Sequence, residues 1–388
     1  MNIKSLLLGS AAALIAVSGA RAADAIVVAE PEPAEYVRIC DVYGAGFYYI
    51  PGTETCLKVG GYLRYDIGVG EFGHEDVLDK KNPWVTDAAG DIIDARTNDT
   101  YYKMMRAQIN LDARSETEYG TLRGFIALNF QRESYRQSAL PGPGGSIIGV
   151  PAELEGVISA LDLDLPGISN TRNAWGIDHA IIQLGGLTLA YSDSLFETLT
   201  DSAGSVINDD LVRYSPGKSH YIAYTFDGGN GFSATVGVEE GAGVRGTIDS
   251  YVPHVVAGAS FTQGWGKIAA VIGYDANFGE VAGKARVDVN VNDALSLWVM
   301  AGLRDGDNAS YYGVWGGDWA VWGGGQYRFT EKAALDVQLS YDDAETFGAV
   351  VGMRYDVVPG LQIRPEIAYV DRDGDDNWGG YLRFQRSF

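Results

Sequence analysis

Met105-Arg106-Ala107-Gln108-Ile109-Asn110-Leu111-Asp112-Ala113-Arg114 alternates an apolar residue with a polar or charged one for ten positions. A helix would scatter these side chains around its axis, whereas an extended chain sends successive residues to opposite faces. One face of this segment is therefore apolar and the other is charged. Leu57, Val59, Leu63, Tyr65, Ile67 and Val69 repeat the pattern against Lys58, Tyr62, Arg64 and Asp66. Leu122, Ile126, Leu128 and Phe130 repeat it against Arg123, Asn129 and Gln131. Alternating segments of about ten residues mark transmembrane β-strands. A soluble sandwich would bury the apolar face on a second sheet, with strands of about five or six residues.

Further strands are predicted with centres near Ile181, Leu189, Tyr224, Val236, Ala257, Ala270, Val287, Val299, Val321, Val337, Val351, Ile367 and Leu382, sixteen in all. An even number lets an antiparallel barrel close with both termini on one side and no unpaired edge in lipid. Short connections at Ser115 to Gly120, Gly185-Gly186, Asp227 to Gly231, Gly264 to Gly266, Asn290 to Ala294, Phe329 to Ala333 and Val357 to Gly360 read as periplasmic turns. Glu71 to Tyr101, Arg132 to Asn173, Ser192 to Pro216, Glu240 to Tyr251 and Asp305 to Gly317 read as external loops.

Residues 1–22 read as a signal peptide: Lys4, an apolar run from Leu6 to Val17, and Ala20-Arg21-Ala22 as cleavage site. Residues 23–56 form a periplasmic leader, acidic and proline-bearing from Asp24 to Glu35, and residues 57–388 the barrel. Without the signal, 27 basic residues face 51 acidic ones, which excludes an electrostatic nucleic-acid partner. No later apolar run is long enough for a membrane helix. The 51 glycines and 23 tyrosines suit tight turns and interfacial aromatic belts. Cys40 and Cys56, an even pair in an exported chain, are read as a disulfide; a metal or redox pair would need closer spacing or further ligands. The closing strand Leu382 to Phe388 ends on an aromatic, the feature read by the barrel-assembly machinery.

Met1 to Leu8, Tyr36 to Asp41, Ile50 to Cys56, Gly316 to Gly324 and Arg383 to Phe388 resemble the alphaproteobacterial porins of rhizobial and Brucella-type outer membranes. The likeness spans nearly the whole chain; it departs in the first two external loops, especially Leu140 to Pro151. It implies an all-β, 16-stranded outer-membrane barrel, usually a homotrimer among lipid and lipopolysaccharide, with the third external loop (Ser192 to Pro216) folded inward. The function it implies is passive diffusion of small hydrophilic solutes and ions, without a cofactor. A plugged barrel with a structural or adhesin role is the alternative, and conductance separates the two.

Selectivity in such a pore depends on its radius and on the field at its narrowest point. The third loop offers Asp193, Glu197, Asp201, Asp209 and Asp210, with Arg213 and Lys218 near its end. Arg64, Arg106, Arg123 and Arg383, on neighbouring strands, are expected on the opposite wall, three of them near mid-strand. Local pairing with Asp66 and Asp112 is the plainer alternative. Trp298, Trp319, Trp322, Tyr311 and Tyr312 read as interfacial aromatics rather than a sugar-stacking slide.

Gly68 to Gly73 and Gly241 to Gly246 fit G-x-G-x-x-G, but about one match is expected by chance at this glycine content and neither opens a helix. Asp371 to Asn377 has the composition of a calcium loop, yet its glycine falls early and no closing glutamate follows, so a solvated external loop is expected. His74, His179, His220 and His254 have no metal-ligand spacing, and no catalytic or metal site is expected.

Overall fold

The computed structural model describes residues 38–70, 74–79, 81–82, 84–86, 88–90, 92–137, 168–306 and 310–388. The expected signal peptide, the Asp24 to Glu35 leader and the Leu140 to Pro151 stretch lie outside the described residues. Among the described residues sixteen long strands form the wall. They are β1 (Cys56–Gly70), β2 (Thr97–Thr117), β3 (Gly120–Gln137), β4 (Ile168–Leu184), β5 (Leu187–Asp193), β6 (Lys218–Gly229), β7 (Phe232–Glu240) and β8 (His254–Gln263). There follow β9 (Gly266–Asp275), β10 (Glu280–Asn290), β11 (Leu295–Arg304), β12 (Trp319–Thr330), β13 (Ala333–Asp342), β14 (Thr346–Val358), β15 (Leu361–Arg372) and β16 (Asp375–Ser387). Each pairs antiparallel with its sequence neighbour, and β1 pairs with both β2 and β16, from Tyr62 opposite Ser387 to Gly70 opposite Gly379. The sheet is a closed barrel; Tyr48–Tyr49 and His74–Leu78 only extend it at its ends.

The alternation in sequence becomes an inverted distribution of polarity. On β9, Ile268, Ile272 and Tyr274 are exposed, whereas Asp275 on the opposite face is fully buried. The same outward apolar face recurs on β6 (Ile222, Tyr224, Phe226) and β11 (Leu297, Val299, Leu303). Leaving such side chains in water forgoes about 1.5–3 kcal/mol each, so the outer wall is built for lipid. No described helix is long and apolar enough to cross a membrane, and the crossing is made by strands.

All seven expected short connections are tight turns. At the other end the long connections alternate with three short ones, Ala276 to Gly279, Asp343 to Glu345 and Asp373-Gly374. In the last, the solvated loop expected at Asp371 to Asn377 is reduced to two residues, with Arg372 to Asp376 exposed. Asp373 and Gly374, both at positive φ, form a two-residue hairpin in which Asp371 Oδ1 accepts from Gly374 N at 2.9 Å.

Cys40 and Cys56 are joined in a disulfide, with Cα atoms 6.0 Å apart. They pack with Phe47, Tyr43 and Tyr49 beside the start of β1. The Arg114 guanidinium lies 5.1 Å from the Phe47 ring, and the Tyr43 hydroxyl donates to Glu116 at 2.7 Å.

The seam between β1 and β16 ends at Gly61, whose N and O bond to Phe388 O and N at 3.1 Å. Its φ is +154°, and a Cβ there would lie 2.0 Å from Gln108 O. We predict that Gly61→Val prevents closure and abolishes the heat-modifiable gel band of the folded barrel. Gly176→Ala, where a Cβ meets nothing within 4 Å, retains the band.

Candidate functional site: the lumen and its inward loop

The chain between β5 and β6 turns into the barrel and is fastened to the inner wall by polar side chains. Ser194 caps a single helical turn, α1 (Leu195–Thr198), by accepting from Phe196 N, and donates its own hydroxyl to Glu239 on β7 at 2.7 Å. Leu195 N donates to the second Glu239 oxygen at 3.1 Å. Further along, Glu366 on β15 accepts from Ile207 N at 2.5 Å and from Asn208 N at 2.8 Å. Gln338 on β13, Trp322 on β12 and Lys284 on β10 donate to the carbonyls of Asp209, Val212 and Tyr214, each at 2.8 Å. These donors and acceptors satisfy loop backbone that would otherwise be buried unpaired.

Apolar contacts complete the attachment. Leu195, Phe196, Val212 and Tyr214 pack with Val256, Val271 and Met300 of the wall and with Tyr311, Tyr312 and Trp315 from the connection after β11. Val206 and Leu211 pack with Val350, Ala368 and Val370. Inward-facing glycines supply the clearance: a Cβ on Gly237 would lie 2.6 Å from Leu195, and one on Gly348 2.9 Å from Leu211.

The acidic residues expected on the loop are divided among three settings. Asp193, Glu197 and Asp201 line one cavity of about 550 Å³. Asp193, the last residue of β5, is paired with Lys218 at 2.8 Å, and Asp201 with Lys267 at 2.7 Å. Asp210 lies in a second cavity with Arg213 and Arg372. Asp209 accepts from the Tyr214 hydroxyl at 2.6 Å.

The expected basic wall is equally uneven. Arg64 and Arg106 stand directly opposite each other across β1 and β2. Their Nε atoms donate to Gln385 at 3.0 Å and Gln131 at 2.8 Å, neutral partners, so neither Nε is paired with a carboxylate. Arg383, opposite Asp66 on β1 and Arg364 on β15, forms two bonds to Asp66, both 2.8 Å. Arg123 does not join this level. It is opposite Arg114, eight residues from Gln131 toward the short turn after β2, and is bound to Asp112 at 2.9 Å. Local pairing thus describes Arg123 and Arg383.

The aromatics differ from expectation as well. Trp322, Tyr311 and Tyr312 are buried in the loop-packing core, and Trp298 lies under Arg286 at 4.5 Å; of the five only Trp319 is on the outer face. Sequence reading also missed Glu239 and Glu366, the two carboxylates that hold the loop. The available signal was an acidic residue at an inward position of a strand with a glycine close by.

A family model described as "Porin subfamily" matches residues 24–386. Porin Omp2b of Brucella suis biovar 1 and of Brucella melitensis biotype 1 are each 41% identical over an alignment of 405 positions, covering 100% of both chains. Among solved structures, the outer membrane channel DcaP of Acinetobacter baumannii superposes with a TM-score of 0.57 at 16% identity, covering 88% of this chain and 99% of that one. A mutant of Rh. blastica porin gives a TM-score of 0.52 at 13% identity, covering 86% and 100%.

Desolvation inside the lumen pushes the Asp209 carboxyl up to about 7, against the lowering effect of the Tyr214 hydrogen bond. It is neutral below that pH and negative above it. Reversal potentials in a salt gradient are therefore expected to show cation preference falling between pH 8 and 6, and Asp209→Asn is expected to remove that step.

Proposed function

This chain belongs to the porin subfamily and is an outer-membrane channel for passive diffusion of small hydrophilic solutes and ions; on that premise we propose that its selectivity arises between the loop carboxylates and the β16–β1–β2 wall. The observation that carries this reading is the arginine pair Arg64 and Arg106, held in cross-strand register without a carboxylate on either Nε. Like charges directly opposite each other destabilise a sheet. Retaining them is accounted for by their effect on what passes. Asp193, Glu197, Asp201, Asp209 and Asp210 supply the acidic side, and Arg383 and Arg364 extend the basic one. A transverse field between the two rows orients water and dipolar solutes and disfavours apolar ones. Arg123 belongs to the periplasmic mouth with Asp112 and Arg114.

The loop's bonds fall on β7, β9, β10, β12, β13 and β15, which favours a passage along the remaining arc from β16 through β4. The wider assignments follow the family. Residues 1–22 are a cleaved signal peptide and 23–56 a periplasmic leader. The assembled form is a homotrimer set in lipid and lipopolysaccharide, and the barrel-assembly machinery reads the closing strand. No catalytic role or cofactor is assigned.

The test is bilayer recording of the double variant Arg64→Ala, Arg106→Ala. A unit charge at 4 Å in water contributes about 1 kcal/mol. Removing two should raise the cation-to-anion permeability ratio several-fold while channel steps persist. An unchanged ratio would contradict this placement of the field, and absence of steps from folded wild-type protein would favour a plugged, structural barrel.

A further inference from the structure

The second cavity, of about 460 Å³, lies at the external mouth. The inward loop contributes Asp210 and Arg213, the connection after β11 contributes Trp315, and Asp342, Thr346 and Arg372 come from the external ends of β13, β14 and β15. Its walls are fixed. Buried Asp342 accepts from Gly316 N at 2.9 Å and from Thr346 N at 3.0 Å, tying the β13–β14 hairpin to the connection after β11. Trp315 is 3% exposed and packs edge-on against Trp322 at 5.7 Å. Its six-membered ring is seated over Gly302 of β11, where a Cβ would lie 2.8 Å from Cη2. The indole Nε1, on the other edge, has no hydrogen-bond partner. Elsewhere in the lumen Glu239, Glu366 and Lys284 are engaged by the loop backbone. Asp210, Arg213 and Arg372 differ: all three are exposed, and their side chains have no hydrogen-bond or ion-pair partner among the described residues.

We propose that this cavity is a capture site for zwitterionic solutes of the amino-acid and short-peptide class, with the solute carboxylate on Arg213 and Arg372 and its ammonium on Asp210. A guanidinium offers two parallel N–H donors to a carboxylate, and an unpaired carboxylate accepts from an ammonium in the same charge-assisted way. Charges of both signs that line one cavity without meeting each other leave a gap that a solute carrying both can span. A simple anion would leave Asp210 unanswered, and a simple cation would face two arginines. Leu211, Val212 and Val314 supply an apolar wall for the solute's side chain. The unpaired Trp315 Nε1 is a spare donor beside them, and a buried donor gains from any acceptor brought to it. The volume falls in the range of small-molecule sites, about 300–1,000 Å³. Neither the arginine pair on β1 and β2 nor the cavity lined by Asp193, Glu197 and Asp201 takes part.

The inference rests on the open-channel reading, and the experiment keeps the two apart. Full-length folded protein in detergent is titrated with glycyl-leucine and followed by saturation-transfer NMR, and the same preparation is recorded in a planar bilayer. Saturable binding is expected. Its dissociation constant should rise about tenfold in Arg213→Gln and likewise in Arg372→Gln, each equivalent to about 1.4 kcal/mol. Arg328→Gln, beside a short turn at the opposite end of the barrel, should leave it unchanged. The N-acetylated dipeptide, which has lost the ammonium charge, should bind wild type more weakly by a similar factor, and Asp210→Asn should weaken it no further. Heat-modifiability confirms that each variant has folded. No saturable binding, binding indifferent to both arginine substitutions, or equal binding of the two dipeptides overturns the site, and channel steps in the same preparation leave the channel reading intact. No conductance from folded wild type would overturn the channel reading itself.

Discussion

A strand in a bilayer has no water with which to satisfy its backbone, and the pairing of β1 with β16 meets that constraint for the whole molecule. Once the sheet closes, every residue faces either lipid or the lumen, and the alternation along each strand assigns it. Polar side chains that would be surface residues in a soluble protein are brought together inside. That interior is a place where Glu239, Glu366, Gln338 and Lys284 can bind peptide groups of a loop that would otherwise lie outside the barrel.

The loop is thereby a fixture of the wall. Its hydrogen bonds reach six strands, and its apolar side chains fill clearances left by glycines. Tyr311, Tyr312 and Trp315, from the connection after β11, pack over it from the external side. His254 and Asp275, both fully buried, tie neighbouring external segments together, with the His254 ring stacked on Tyr311 at 4.5 Å. A loop attached in this way is held in place rather than hinged, which suits passive diffusion better than gating.

The barrel was legible in the sequence because a period of two is a local signal: strand number, turn positions and wall polarity all follow from it. The Cys40–Cys56 bond was legible because an exported chain with two cysteines leaves few alternatives. The interior was less so. Arg123 has the same alternation as Arg106, and only the register between β2 and β3 places it near the short turns. Tyr311, Tyr312 and Trp322 read as interfacial aromatics because sequence does not reveal what a loop will cover. Glu366 looks like any lumen carboxylate until Ile207 and Asn208 are brought to it from 159 and 158 residues away.

The claim that inward carboxylates hold the loop as a fixed constriction is tested most directly by the single-channel conductance and open-channel noise of Glu366→Ala, recorded beside wild type in the same bilayer. Loss of the Ile207 and Asn208 bonds frees the tip of the loop, and the account predicts a larger and noisier conductance from a barrel that still folds. Conductance and noise identical to wild type would contradict it, because the loop would then not be what narrows the channel.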